Sequence, residues 1–269
     1  MSTQLIYKIL ICIIAGAGAG IATGFAGLSA VAFISPLLVV LLKMPIYQTV
    51  TIGLASDILA SLISAVTYHE SGNIDLEHGK KLLISTLVFT ILGSIAAFFI
   101  TRHEVGDEGM SIFSLVSAFA VGVSYLIRSP EREQEKKHPF LERVRGKKWV
   151  EWLSGAYIGS VCGLQGTGGG MMMLLILTVV MGFQHQTAVG TSVFIMTFIA
   201  AIGAGTHFAV HPQIDFTALF SCVLSTLIFA RLAAVLGNRM PVKALYRITG
   251  ALLALTGISM LVLHFAAKG

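Results

Sequence analysis

Few residues in this chain could do chemistry, and most of those that stand out are glycines. The stretch "CGLQGTGGGMMM", residues 162 to 173, places five glycines in eight positions and follows them with three methionines. Glycine costs a helix interior about 1 kcal/mol relative to alanine, so such a cluster predicts irregular backbone. Bare backbone lets a ligand come close to amide N–H groups. A helix starting at Gly168 would turn its unpaired N–H groups and positive dipole end on that ligand, which is the chemistry of an anion site. The stretch lacks the GK[ST] ending of a phosphate loop. "GAGAGIATG", residues 16 to 24, is likewise no dinucleotide fingerprint. A second glycine stretch, "GFAGLSA" from Gly24, has the same character, with a helix start expected at Ser29. The candidate anion-binding residues are Gly24, Gly27 and Ser29 from one loop and Gln165, Gly166, Thr167, Gly168, Gly169 and Gly170 from the other. Thr191 and Ser192, hydroxyls in the segment after the second loop, are added to them. Close helix packing is the competing reading of the glycines, as for "AGAGAG" at 15 to 20, and interhelical hydrogen bonding that of the hydroxyls.

Charged or titratable groups within apolar sequence are the other candidates. Asp57 in "IGLASDILASL" falls near the middle of its segment, where a charge is costly and commonly functional; it could carry a coupling proton, or cap a helix break at Ser56-Asp57. Arg231 could bind an anion or snorkel to the interface. His69 and His207, at the ends of two related segments, could respond to pH or simply sit at the interface. Cys12, Cys162 and Cys222 have no ligand or CxxC spacing, and Met171 to Met173 read as core; no metal, cofactor or catalytic group is expected.

These residues need a scaffold, and composition names its solvent. With 55% hydrophobic and 12% charged residues, a chain of 269 residues cannot cover a water-soluble globule. Its apolar runs approach the roughly 20 residues of a spanning helix, which favours a helical bundle over a barrel. Membrane segments are expected at 5–23, 29–42, 46–67, 79–101, 110–127, 150–163, 169–182, 186–209, 214–237 and 246–266. The polar stretch 128–149 reads as a solvated linker, with Trp149 and Trp152 at the headgroup level. The net charge of +5 follows membrane sidedness and no nucleic-acid partner is expected, because the basic residues sit in short loops and the linker.

The halves 1–127 and 150–269 echo one another. "GFAGLSA" matches "GLQGTGG" from Gly163, "QTVTIGLAS" from Gln48 matches "QTAVGTS" from Gln186, and "NID" at Asn73 matches "QID" at Gln213, all at offsets of about 137 to 140. Phe194 stands opposite Asp57. An odd number of segments per half makes the repeats inverted in topology. Paired Gly-interrupted short segments in inverted halves are the sequence mark of a transporter's binding site. If every segment crosses, one face receives thirteen basic residues (Lys80, Lys81, eight in the linker, Arg239, Lys243 and Arg247). The other receives four, Lys8, Lys43, Arg102 and Lys268. That bias places the linker in the cytoplasm and both termini outside. The sidedness survives if 5–42 and 150–182 are re-entrant hairpins.

Two glycine-centred loops each followed by a short helix, the "QTxxxG" and "AVGTS" helix starts, and the "ID" junctions resemble the sulfite exporter TauE/SafE family over roughly residues 8 to 125 and 150 to 265. The resemblance implies a bacterial or archaeal inner-membrane permease for sulfite, sulfonates or related small anions. The first half carries Leu28-Ser29-Ala30 where the second has the triplet Gly168-Gly169-Gly170. The expectation is thus an all-α integral membrane transporter of two inverted repeats, holding a small anion between two glycine loops. An intramembrane enzyme using Asp57 or His207, and an accessory membrane subunit, are the alternatives.

Overall fold

The computed structural model describes residues 3–100, 147–165, 170–210, 213–245 and 247–252. Its described residues form helices and no strand. In the first half these are α1 (Thr3–Ala26), the short α2 (Val31–Leu42), α3 (Ile46–Glu70) and α4 (Leu76–Ile100). The second half has α5 (Lys148–Gln165), α6 (Gly170–Leu175) running into a π-helical turn at Ile176–Val180, α7 (His185–Val210) and α8 (Phe216–Arg239). Apolar length set most of these boundaries correctly to within a few residues. The expected segment 110–127, most of 246–266 and the linker to residue 146 lie outside the described residues.

Gln4–Ala26, Ile46–Glu70, His185–Ala209 and Phe216–Arg239 are each long and apolar enough to cross a membrane. Their outer faces agree with a hydrocarbon solvent, since large apolar side chains such as Ile14, Leu62, Phe220 and Leu224 are exposed. Met173 is in the core and the three cysteines are buried and unpaired.

Packing is set by small residues. α1 lies most extensively on α8, and α4 on α5. A Cβ added to Gly16, Gly20 or Gly24 would press on Cys222, Thr226 and Ala230 of α8, while one on Gly155 or Gly159 would press on Ser85 and Thr86 of α4. Both contacts use glycines four residues apart on one helix face, as close helix packing in lipid requires. Of the "AGAGAG" run, Gly16 and Gly20 pack as expected, but Gly18 faces open space. Glycine-to-leucine change at Gly159 is therefore expected to eliminate folded protein in a detergent-extraction assay, and Gly18→Leu to leave its yield unchanged.

Contacts also fix directions. Lys8 pairs with Asp215 and Gly24 meets Ala234, so α1 and α8 run side by side in one direction. Asn73 at the end of α3 donates to Asn238 at the end of α8 at 2.6 Å, which aligns α3 with them. α4, returning from α3 through a short turn, runs the other way, and α5 runs with it, from Glu151 near His78 to Gly163 near Gly93.

Candidate functional site

The two glycine junctions touch. Gly27, in the turn between α1 and α2, has φ of +62°, in the left-handed region that glycine adopts without strain. A Cβ on it would run into the Ser192 hydroxyl of α7. Gly170, the first residue of α6, lies so close to the Gly27 carbonyl that a Cβ there would overlap its oxygen, with Met196 Sδ 3.2 Å away. The α1–α2 turn, the start of α6 and the Ser192 region of α7 thus form one contact.

Asp57 stands at the same depth on α3, fully buried. Its Oδ2 accepts from Ser29 Oγ and its Oδ1 from Ala30 N, both at 2.5 Å, and the Val31 amide is also directed at it. The two amides are groups that helix geometry leaves unpaired at the start of α2. The helix break considered at Ser56-Asp57 does not occur, since α3 is continuous from Ile46 to Glu70. Ser56 instead bonds back to Ile52 O at 2.8 Å, and the aspartate caps a neighbouring helix from the side. Ser29, expected to face a bound anion, thus faces a carboxylate belonging to the protein.

Thr191 and Ser192 are both buried. Thr191 Oγ1 accepts from Asp75 N at 3.1 Å, holding the α3–α4 turn to α7, and Ser192 Oγ donates to Val189 O at 2.9 Å beside Gly27. Below them Thr197 Oγ1 donates to Ser61 Oγ at 3.0 Å, and Ser61 donates to the Asp57 carbonyl, tying the crossing of α3 and α7 to the aspartate. Gly24 lies against Ala230 and Ala233 of α8. Gln165 ends α5, and Gly166, Thr167, Gly168 and Gly169 fall outside the described residues.

The remaining charged candidates are not gathered here. His69 is exposed near the end of α3, roughly 18 Å along the helix from Asp57 at 1.5 Å per residue. His207 is half-buried near the end of α7, and Arg231 is exposed on the outer face of α8, where its stem can lie along lipid. Sequence reasoning missed Tyr68, which is fully buried and donates to Gly24 O at 2.9 Å, joining α3 to the end of α1. Its place between Gly190 and Gly237, two glycines on other helices, needs the fold to be seen.

Four helices long and apolar enough to cross a membrane, with two short helices starting from touching glycine junctions beside a buried carboxylate, are the features of a multi-pass membrane protein. Irregular backbone at such depth is sustained where protein or a cavity satisfies its polar groups. The family model "Sulfite exporter TauE/SafE" matches residues 12–260, and the chain belongs to that family. No curated protein matches it. Family membership makes the protein a membrane transporter with a small anion as its class of substrate.

Proposed function

We propose that the protein is a secondary transporter exporting a small anion such as sulfite, a sulfonate or a related organic anion, by alternating access between inverted repeats. The observation that carries this reading is the Asp57 carboxylate on the start of α2. There the first half holds a carboxylate, itself a small anion, against a hydroxyl and the free amides of a short helix. The second half has the corresponding glycine loop but Phe194 in place of the aspartate. The substrate is proposed to take, at Gln165 to Gly170, the place that Asp57 takes in the first half, with Gly27, Thr191 and Ser192 forming the adjoining wall. Asp57 is proposed to carry a coupling proton, as the carboxyl that accepts from Ser29 and Ala30 at the start of α2.

Reciprocal packing supports the inverted repeats. The first helix of each half lies on the fourth helix of the other, the two pairs run in opposite directions, and α3 and α7 cross antiparallel through Ser61 and Thr197. The linker 128–149 is proposed to lie in the cytoplasm and both termini outside, in a bacterial or archaeal inner membrane. In a cysteine-free background, a cysteine at Glu135 or Asn238 is expected to label only from the cytoplasm and one at Asp107 only from outside. Labelling of Glu135 and Asp107 from one side would end this topology. Transport itself is tested by exchange of labelled anions through the purified protein in liposomes.

A further inference from the structure

Both α4 and α8 begin at an aspartate whose Oδ1 accepts from the backbone N–H three residues on, His78 N to Asp75 at 3.0 Å and Ala218 N to Asp215 at 3.1 Å. The two starts lie at opposite ends of the bundle, and at each the aspartate's other oxygen meets a cation or potential cation. At the α8 end this is Lys8 of α1. Partial burial works against the Asp215 charge, but the hydrogen bond and charge of Lys8, with the Ala218 and Thr217 amides, hold its carboxyl below the usual carboxylate range. The stabilisation from that pair is present above the ordinary carboxylate range and is lost only as pH falls through the depressed value, so it persists at neutral and mildly acid pH.

At the α4 end the partner is an imidazole, which is a cation only when both of its ring nitrogens hold a proton. His78 Nδ1 lies 2.8 Å from Asp75 Oδ2, and His78 Nε2 lies 3.5 Å from Glu151 Oε1 on α5. The Glu151 side chain is 4% exposed and its Oε2 has no hydrogen bond, with Lys81 Nζ 3.9 Å away and itself paired with Glu77 at 3.3 Å. A cavity opens beside it, between His78, Lys147 and Glu151 on one side and Val180, Met181 and Phe183 on the other. Among the described residues the charged and titratable groups facing the imidazole are therefore Asp75, Glu151, Lys81 and Lys147. The wall formed by Val180, Met181 and Phe183 is apolar, with Phe183 edge-on to the ring.

A neutral imidazole has one N–H, so only one of two flanking carboxylates can receive it and the other meets a lone pair. The imidazolium has two, and satisfies both. We propose that Asp75, His78 and Glu151 form a proton-binding clasp between α4 and α5, closed while the imidazole holds its second proton and loosened when that proton leaves. The cavity wall is the far end of the segment that starts at Gly170, so opening the clasp acts on the same element that touches Gly27. The clasp's place in a transport cycle rests on the transporter reading; the clasp itself does not.

The test is thiol labelling of Val180→Cys, in a background with Cys12, Cys162 and Cys222 replaced by serine, using protein in liposomes. Rates are divided by those of Ser71→Cys, an exposed position at the same end, which removes the pH dependence of the thiol reaction. The ratio is expected to rise at least about threefold between about pH 5 and pH 8, the range in which histidine changes charge. It is expected to be flat in His78→Gln and to lose most of its rise in Glu151→Gln. A flat ratio with His78 present, or a full rise in His78→Gln, overturns the clasp whether or not anions move. A His78-dependent rise in a protein that exchanges no anion upholds the clasp and removes the transport reading.

Discussion

Asp57→Ala is expected to lower the yield and thermal stability of the folded protein severely, and with them all transport. The change leaves the Ser29 hydroxyl and the Ala30 and Val31 amides buried without an acceptor. Each such group costs about 1–3 kcal/mol, which in sum takes a large part of the roughly 5–15 kcal/mol that holds a typical domain. Asp57→Asn keeps one acceptor oxygen for the Ala30 and Val31 amides, removes the charge and puts an NH2 against the Ser29 hydroxyl, which can turn to accept from it. It is expected to fold and to exchange anion for anion, yet to lose concentrative movement driven by a pH gradient, because the coupled proton has no carrier. A pH gradient is worth about 1.4 kcal/mol per unit for each coupled proton, so losing one coupled proton is a loss of accumulation of about tenfold per unit of gradient. Liposomes with an imposed pH gradient measure this directly. A full pH response in the asparagine variant would make Asp57 a fixed cap and nothing more.

The second large effect is expected at the glycine loop of the other half. Gly168→Leu should abolish transport while leaving membrane insertion intact, because a side chain fills the space in which the anion meets the backbone. Gly170→Leu should fail at an earlier stage, since its Cβ would overlap the Gly27 carbonyl and part the two junctions. Comparing extracted folded protein with flux for each variant separates the two. Normal flux through Gly168→Leu would make the loop packing material and move the site elsewhere.

The helices were legible because apolar length and glycine interruption are local properties of the chain. α2 and the α6 segment were recognised as short for the same reason, and the spacing of three motifs is what suggests the proposed repeat. What Asp57 does was not legible. Its partners are 27 and 28 residues away on another helix, and a Ser-Asp pair inside an apolar run looks the same whether it breaks its own helix or caps a neighbour's. The packing faces carried a readable signal, with Gly16, Gly20 and Gly24 four apart and Gly155, Gly159 and Gly163 four apart, but the alternating "AGAGAG" does not tell these from Gly18, which faces open space. His78 and Glu151 were passed over because each sits near a helix start among other charged residues, where a solvated face is the ordinary reading. Only the approach of α4 to α5 buries Glu151 and brings His78 against it.

Counterflow is the most direct test of the central claim. Purified protein would be reconstituted in liposomes preloaded with unlabelled sulfite, a sulfonate or sulfate, and entry of the same labelled anion followed with time. The account predicts transient accumulation of at least one of these small anions above protein-free liposomes, abolished in Gly168→Leu and retained in Asp57→Asn. Folded, inserted protein that exchanges none of them faster than empty liposomes would contradict it.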